Sequence, residues 1–182
     1  MSYPALALLE LASIPRGMVV GDALVKRAAV QLLRAHPIDP GKYLLVFEGE
    51  VAEVEEALQA AAEAAAGALI DRLYLSFAHE ALAPAIAGRG PAPRIEALGI
   101  VETPTLAASV VGLDKALKTA PVRVVELRLG AGLGGKGYFV LTGDLYDMQA
   151  SLEAAVAAIG SEATHEIIAQ PHADFLRGAH YA

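Results

Sequence analysis

A glycine-rich segment is the part of the sequence closest to a known chemical motif. Residues 130–135 have the spacing G-x-G-x-x-G of dinucleotide-binding loops, and residues 130–136 approach a phosphate-binding P-loop. The first motif needs a helix next, whose N-terminus receives the pyrophosphate, but residues 138–141 (Tyr-Phe-Val-Leu) are typical of a strand. In the second motif, Gly137 stands where Ser or Thr must bind magnesium. The sequence therefore favours a tight loop with exposed backbone N–H groups over a nucleotide site.

Residues that could act as nucleophiles, bases or soft metal ligands are few. The chain has 182 residues with no Cys and five His, and no Ser lies in a Gly-x-Ser-x-Gly elbow. Disulfides, thiolate nucleophiles and Cys-ligated clusters are thereby excluded. Neither His79 nor His172 has an evident Ser nucleophile or carboxylate partner, so both are interpreted as polar residues at a helix start or an interface. We predict no catalytic residues and no metal site, and that the protein is not an enzyme.

Composition and charge exclude further classes of protein. The net charge of −7 and the aromatic content of 5% argue against nucleic-acid binding, which needs basic side chains and stacking surfaces. Charged residues break every apolar run, so no membrane segment is expected. Met1-Ser2-Tyr3-Pro4 has no basic stretch before an apolar run, as a signal peptide would have. The hydrophobic content of 55% predicts a packed protein, and a cytoplasmic one by default.

An internal repeat organises the chain. Residues 9–30 resemble residues 101–122 at an offset of 92, and residues 41–50 resemble residues 135–144 at an offset of 94. His79 and His172 then correspond at an offset of 93. The change of offset predicts a longer loop in the second copy, and the whole pattern predicts two copies of one domain of about 90 residues.

Each copy shows the same series of predicted elements. The pattern predicts a strand, a turn, a helix, a strand pair, an Ala-rich helix, a last strand and a short helix. The first turn is placed at Pro15-Arg16-Gly17, with a helix over residues 17–28. The predicted strands are residues 5–12, 30–36, 42–48, 69–77, 97–103, 122–129, 136–142 and 164–170, and the other helices are 51–66, 105–119 and 144–159, with short ones starting near His79 and His172.

Four segments of this repeat carry a resemblance to a known family. They are GDALVKRAAVQLL with LDKALKTAPVRVV, and IDPGKYLLVFEGEVAEVEEAL with GAGLGGKGYFVLTGDLYDMQASL. The chain resembles the bacterial microcompartment shell proteins, in the unpermuted tandem-domain trimeric class of the propanediol-utilisation type. The resemblance implies an α+β fold of two ferredoxin-like βαββαβα domains, at residues 1–88 and 97–182 with a linker at 89–96. It also implies a homotrimer that forms a flat pseudohexamer.

The family pattern further implies a shell function. Pseudohexamers of this family tile, with hexameric and pentameric shell proteins, into a polyhedral shell in the cytoplasm, and small polar metabolites cross a central pore. The resemblance places two strand-pair loops at that pore. Their residues are Ile38, Asp39, Pro40, Gly41 and Lys42 in the first copy and Gly132, Leu133, Gly134, Gly135 and Lys136 in the second.

Asp39 is the position where this chain departs from some trimeric relatives. Those relatives carry a Cys there, and three copies hold an iron–sulfur cluster in the pore. A carboxylate is a poor substitute for a soft thiolate, so no cluster and no other cofactor is expected. Three Asp39 side chains near one axis would raise one another's pKa or recruit a cation. The alternative is that Asp39 only favours the turn before Pro40-Gly41.

The resemblance also implies a set of tile-edge contacts. Lys26 and Lys118 match lysines that lie across the seam from a neighbouring tile and donate to backbone carbonyls, while each alone could be a solvated helix position. His79 and His172 fall near the same edge, where many relatives carry Arg in Pro-Arg-Pro-His. This chain has Ala169-Gln170-Pro171-His172 there and lacks the guanidinium donors.

A second function stays open at this point. A ferredoxin-like core also suits a trimeric sensor of a small ligand, because a fold does not determine a function. A sensor would bind one ligand per cleft, whereas a shell tile would assemble into sheets.

Overall fold

The computed structural model describes residues 4–90, 92–130 and 132–181. The chain divides into two compact units between Ala87 and Gly88. Met1-Ser2-Tyr3, on which the signal-peptide prediction partly depends, Pro91 of the predicted linker and Ala131 of the glycine-rich segment lie outside the described residues.

The first unit is a four-stranded antiparallel sheet with two long helices. The strand order is β2-β3-β1-β4, so the first strand lies inside the sheet between the third and the fourth. Its elements are β1 (Ala5–Leu11), α1 (Ile14–Arg27), β2 (Gln31–Ile38), β3 (Lys42–Gly49), α2 (Val51–Ala65), β4 (Leu69–Leu75) and α3 (Leu82–Ala87).

The second unit repeats this plan element by element. The strand order β6-β7-β5-β8 is the same as in the first unit, and all pairs are antiparallel. This confirms the predicted pair of ferredoxin-like α+β domains. The elements are β5 (Ala97–Thr103), α4 (Leu106–Thr119), β6 (Arg123–Leu129), β7 (Gly137–Gly143), α5 (Leu145–Ile159), β8 (Thr164–Ile168) and α6 (Ala173–Gly178).

Apolar side chains explain why the strands lie where they do. Every residue of β1 is buried, as expected for an inner strand with both faces covered. One face of the first sheet packs on α1 and α2 through a cluster that includes Leu9, Tyr43, Phe47 and Val54. Burial of this kind stabilises a fold by roughly 25 cal/mol for each Å² of apolar surface removed from water.

The start of α1 differs from the prediction. The turn predicted at Pro15-Arg16-Gly17 is wrong, because these residues form the first turn of α1, which begins at Ile14. The Ser13 side chain caps the helix by accepting from the Arg16 N–H at 3.3 Å, and a proline is tolerated in a first turn because its missing N–H would have no partner there. The short helix predicted to start near His79 begins three residues later, at Leu82, and the other elements begin and end within about two residues of the predicted bounds.

The edge strands β2 and β6 carry a register shift at equivalent places. The register of β2 on β3 shifts between Leu32 and Arg34, and the register of β6 on β7 shifts between Val124 and Glu126. Arg34 pairs with Val46 just as Glu126 pairs with Val140, so Arg34 and Glu126 occupy equivalent positions of the two units.

Candidate functional site

The first predicted pore loop is a short turn at the tip of the β2–β3 hairpin. Ile38 pairs with Lys42, which leaves residues 39–41 to make the connection. Ile38 is buried with 5% exposure and anchors the tip, while Asp39, Pro40 and Gly41 are exposed. Gly41 has φ +80°, a conformation that side chains disfavour. The turn therefore presents the Asp39 carboxylate at the end of the hairpin.

The second predicted pore loop connects β6 to β7 and is longer. Leu129 pairs with Gly137, so residues 130–136 form the connection. The four described glycines of this loop all have positive φ, a conformation that residues with a side chain disfavour. They are Gly130, Gly132, Gly134 and Gly135. The segment that follows is strand β7 and not a helix, so the geometry needed for pyrophosphate binding at a helix N-terminus does not form.

Lysines at the start of β3 and β7 bind carboxylates of the neighbouring strand. Lys42 Nζ lies 3.1 Å from Glu10 Oε2, and Lys136 Nζ lies 2.7 Å from Glu102 Oε1. The Glu10 side chain is only 3% exposed, whereas that of Glu102 is 51% exposed. The positive charges of Lys42 and Lys136 are thus each paired within their own unit.

The two lysines predicted at the tile edge lie in the last turns of α1 and α4. Lys26 and Lys118 each place Nζ at 2.6 Å from the aspartate four residues earlier, Asp22 and Asp114 respectively. A cation in the last turn also interacts favourably with the helix dipole. The side chain of Lys26 is 72% exposed and that of Lys118 is 31% exposed. Both lie at equivalent places of the two units, and their contact with another tile stays a prediction.

The two histidines of the predicted edge make equivalent hydrogen bonds near the last helices. The Nδ1 atom of His79 accepts from the Ala81 N–H at 3.2 Å, and that of His172 accepts from the Asp174 N–H at 3.1 Å. His172 is the N-cap of α6. Accepting at Nδ1 places the proton of a neutral ring on Nε2, which leaves that N–H as the donor for any further partner.

One polar cluster was not anticipated from the sequence. Glu126 of β6 accepts from Arg128 Nε at 2.6 Å through Oε1 and from the Tyr181 hydroxyl at 2.5 Å through Oε2. Burial alone would raise the pKa of Glu126, but hydrogen bonds from Tyr181, Arg128 and Tyr138 hold this pKa below its ordinary value. Burial, and then the hydrogen bond to Glu126, raise the pKa of the Tyr181 phenol. The spacing of Glu126 and Arg128 on one strand face was a signal, but Tyr181 is 55 residues away from Glu126.

The first unit has a different contact at the equivalent position. Arg34 of β2 donates from Nε to the carbonyl oxygen of Ile86 in α3 at 2.6 Å. The same strand position therefore contacts the region of the last helix in both units, with opposite charge.

A shallow groove of about 460 Å³ lies in the second unit. It is bordered by the starts of β5 and α5, the end of β7, the segment after β8, and α6, with Glu96, Asp144, Pro171 and Leu176 among its lining residues. Within residues 4–90, 92–130 and 132–181, no group of three or more His, Asp or Glu is placed to hold a metal ion. None of the helices in that part of the chain is both long and apolar enough to span a membrane.

Comparison with known proteins identifies the family. The model of the BMC domain matches the chain twice, at residues 5–77 and 97–171. The chain belongs to the BMC-domain family. Each match of the BMC domain runs from the first strand of a unit to beyond its fourth strand, so one match covers the sheet of one unit.

One relative is similar to this BMC-domain protein over almost its whole length, and another over more than half of it. It is 36% identical to the bacterial microcompartment shell protein PduT of Citrobacter freundii over 176 residues, which cover 95% of this chain and 96% of that protein. It is 34% identical over 113 residues to the shell protein EutK of Salmonella typhimurium, covering 60% of this chain and 69% of EutK.

Solved structures agree with the fold. A microcompartment protein from Desulfitobacterium hafniense DCB superposes with a TM-score of 0.90 at 36% identity, covering 97% of this chain and 99% of that one. The fused permuted hexameric shell protein MSM0275 of the RMM microcompartment has a TM-score of 0.59 at 18% identity, covers 86% of this chain and 83% of that one, and shares the fold alone. The predicted shell-protein family and its tandem BMC domains are thereby confirmed.

Proposed function

We propose that this BMC-domain protein is a structural tile of a microcompartment shell within the cytoplasm, and that three chains form the tile. The observation that carries the proposal is the duplicated BMC domain, aligned over 95% of the chain with a shell protein. Three chains with two equivalent units each make a closed ring of six similar domains. A ring of this kind has a hexagonal outline. The alternative of a small-ligand sensor is not supported, since the relatives named above are shell proteins.

The centre of the proposed ring is a pore for small polar metabolites. We place the turn at residues 39–41 and the loop at residues 130–136 around it, alternating short and long. Because Lys42 and Lys136 are paired with Glu10 and Glu102, the exposed Asp39 dominates the charge of the short turns. The proposed mouth is therefore acidic and attracts cations or excludes anions.

The pore carries no iron–sulfur cluster in this proposal. The chain has no Cys, and carboxylate oxygen is a hard ligand that holds such clusters poorly. The protein acts in the shell without catalysing a reaction, and its partners are hexameric and pentameric shell proteins that it meets through Lys26, Lys118, His79 and His172.

The experiment that tests the proposal is native mass spectrometry of the purified protein in a volatile buffer. We expect an assembly of three chains of 18.8 kDa each with no added mass of iron or sulfide. Non-covalent trimers survive transfer under gentle conditions, and the mass resolves a bound cluster.

Each other result would contradict a different part of the proposal. A monomer at micromolar concentration would remove the ring and its pore. A trimer that carries iron would leave the tile in place and show that the argument from Asp39 is wrong.

A further inference from the structure

The last helices of the two units differ in how many of their apolar side chains are buried. In the first unit, α3 buries Leu82 and Ile86, which are 0% and 2% exposed. In the second unit, α6 has no buried residue, and Phe175 is 49% exposed. Apolar burial is the main source of stability for a short docked helix, so α6 needs another attachment and α3 does not.

The attachment of α6 comes from the chain that follows it. After α6, the Tyr181 N–H donates to the Leu176 carbonyl oxygen at 2.9 Å, which fixes Tyr181 relative to the helix. The Tyr181 hydroxyl then donates to Glu126 Oε2 at 2.5 Å, on strand β6. This phenol thus links α6 to the sheet of its unit.

The acceptor of this hydrogen bond is held as a carboxylate. Glu126 also accepts from Arg128 at its other oxygen, so both oxygens have a donor. Tyr138 of the neighbouring strand and Arg128 are the other titratable groups that influence Glu126, and together with Tyr181 they favour its charged form. Hydrogen bonds to a charged acceptor are about twice as strong as neutral ones.

The position of the acceptor within the repeat supports a specific role. Glu126 and Arg34 occupy equivalent places next to the register shift of an edge strand; Arg34 contacts the last helix of its unit, and Glu126 contacts the residue that follows the last helix of its unit by three positions. The Arg34 contact adds to a helix that already buries Leu82 and Ile86, whereas the Glu126 contact is made to Tyr181, which follows a helix with no buried residue.

We propose that residues 173–181 form a releasable strap that the Tyr181–Glu126 hydrogen bond closes on β6. The strap contributes Leu176 to the wall of the groove described above, so its opening removes one wall of that groove. The equivalent helix α3 of the first unit is anchored by its buried Leu82 and Ile86 and stays docked in this proposal. The strap thus gives only one of the two units an element that opens without unfolding the sheet.

Hydrogen–deuterium exchange of the full-length protein tests the strap. In Tyr181→Phe, which removes one hydroxyl and no packing volume, we expect peptides that cover residues 173–181 to exchange about tenfold faster. That factor corresponds to about 1.4 kcal/mol, just below the usual range for a hydrogen bond to a charged group, as expected for a contact that is only partly buried. Peptides that cover α3 serve as an internal control and keep their exchange rates.

Two further variants make the test specific. Tyr146→Phe is the matched control, because Tyr146 is 78% exposed on α5 and its hydroxyl makes no hydrogen bond to any described residue. Glu126→Gln keeps an acceptor but removes the charge, so we expect faster strap exchange in this variant also. Unchanged exchange of residues 173–181 in Tyr181→Phe, or the same acceleration in Tyr146→Phe, would overturn the proposal.

Discussion

At the scale of single residues, Asp39 is the side chain whose charge matters most for the proposed pore. In a trimer, three of these carboxylates would surround one axis, and a concentrated negative potential raises the local concentration of cations by tenfold or more at low salt. We therefore expect Asp39→Asn to lower the passage of a small cationic dye through reconstituted shells by about tenfold relative to an anionic dye of similar size.

The matched control for this substitution is Glu50→Gln, which removes one exposed carboxylate that follows the end of β3 opposite to the turn at residues 39–41. High salt should abolish the difference between wild type and Asp39→Asn, because screening shortens the reach of the charge. A cation-to-anion ratio that is the same in Asp39→Asn and wild type at low salt would show that Asp39 only shapes the turn.

What the sequence could predict about individual residues depended on how far away their partners lie. The i, i+4 spacing of Asp22 and Lys26 is visible in a helix, and the structure has that ion pair. The partner of Lys42, by contrast, is Glu10 on a strand 32 residues earlier, and only the strand register brings the two together. The Tyr181–Glu126 contact was missed for the same reason.

At the scale of elements, the close approach of α1 to β3 depends on Gly17. A Cβ atom at this position would lie 2.4 Å from the ring of Tyr43, which is itself 6% exposed and has no room to move. Alanine normally favours a helix by about 1 kcal/mol over glycine, but overpacking of a core costs about 1–3 kcal/mol and ring displacement lies at the upper end.

The helix preference for alanine offsets about 1 kcal/mol of the overpacking cost, so we expect Gly17→Ala to lower the free energy of unfolding by about 2 kcal/mol, measured from the midpoint of urea denaturation. Gly90→Ala is the control, since nothing lies within 4 Å of a Cβ atom there. A Gly17→Ala protein as stable as Gly90→Ala would mean that α1 shifts away from β3 at little cost.

Element types were predictable and some of their ends were not. Alternating or continuous apolar runs predicted every strand, but proline and glycine at residues 15 and 17 suggested a turn. The Ser13 cap overrides that signal because it satisfies an N–H of the first turn, and the small Gly17 is used for packing and not for turn geometry. Local composition does not distinguish these two uses of glycine.

At the scale of the whole molecule, Lys26 and Lys118 are expected to act between tiles. Each is paired with an aspartate of its own helix, and the Lys26–Asp22 pair, whose side chains are 72% and 60% exposed, contributes little to folding. We expect the double variant Lys26→Ala/Lys118→Ala to keep the trimer and to lose extended sheets in electron micrographs, because both edge donors are absent.

The control is Lys115→Ala, which removes an exposed lysine from the same helix as Lys118. Intact sheets from the double variant would count against the edge assignment. Loss of the trimer itself would instead place these lysines at the contact between chains of one tile.

The fold was largely predictable because the same series of strands and helices is encoded twice in the chain. The prediction for each copy therefore supported the prediction for the other. A weak strand or helix signal in residues 5–77 was supported by its equivalent in residues 97–171, and both matched one family. The relative burial of α3 and α6 was not predictable, since it depends on a few side chains of short helices that the repeat does not share.

The opposite charges of Arg34 and Glu126 show what a chain with two fused domains permits and a chain with one domain does not. When identical chains build a ring, a substitution enters every position at once, and both last helices must accept the same residue. Joining two copies in one chain lets Arg34 meet a carbonyl oxygen in one unit while Glu126 meets a phenol in the other. Exchanging the terminal segments between the two copies would set the Glu126 carboxylate against a carbonyl oxygen, two acceptors with no donor between them, so the segment that contains Tyr181 suits the sheet that carries Glu126.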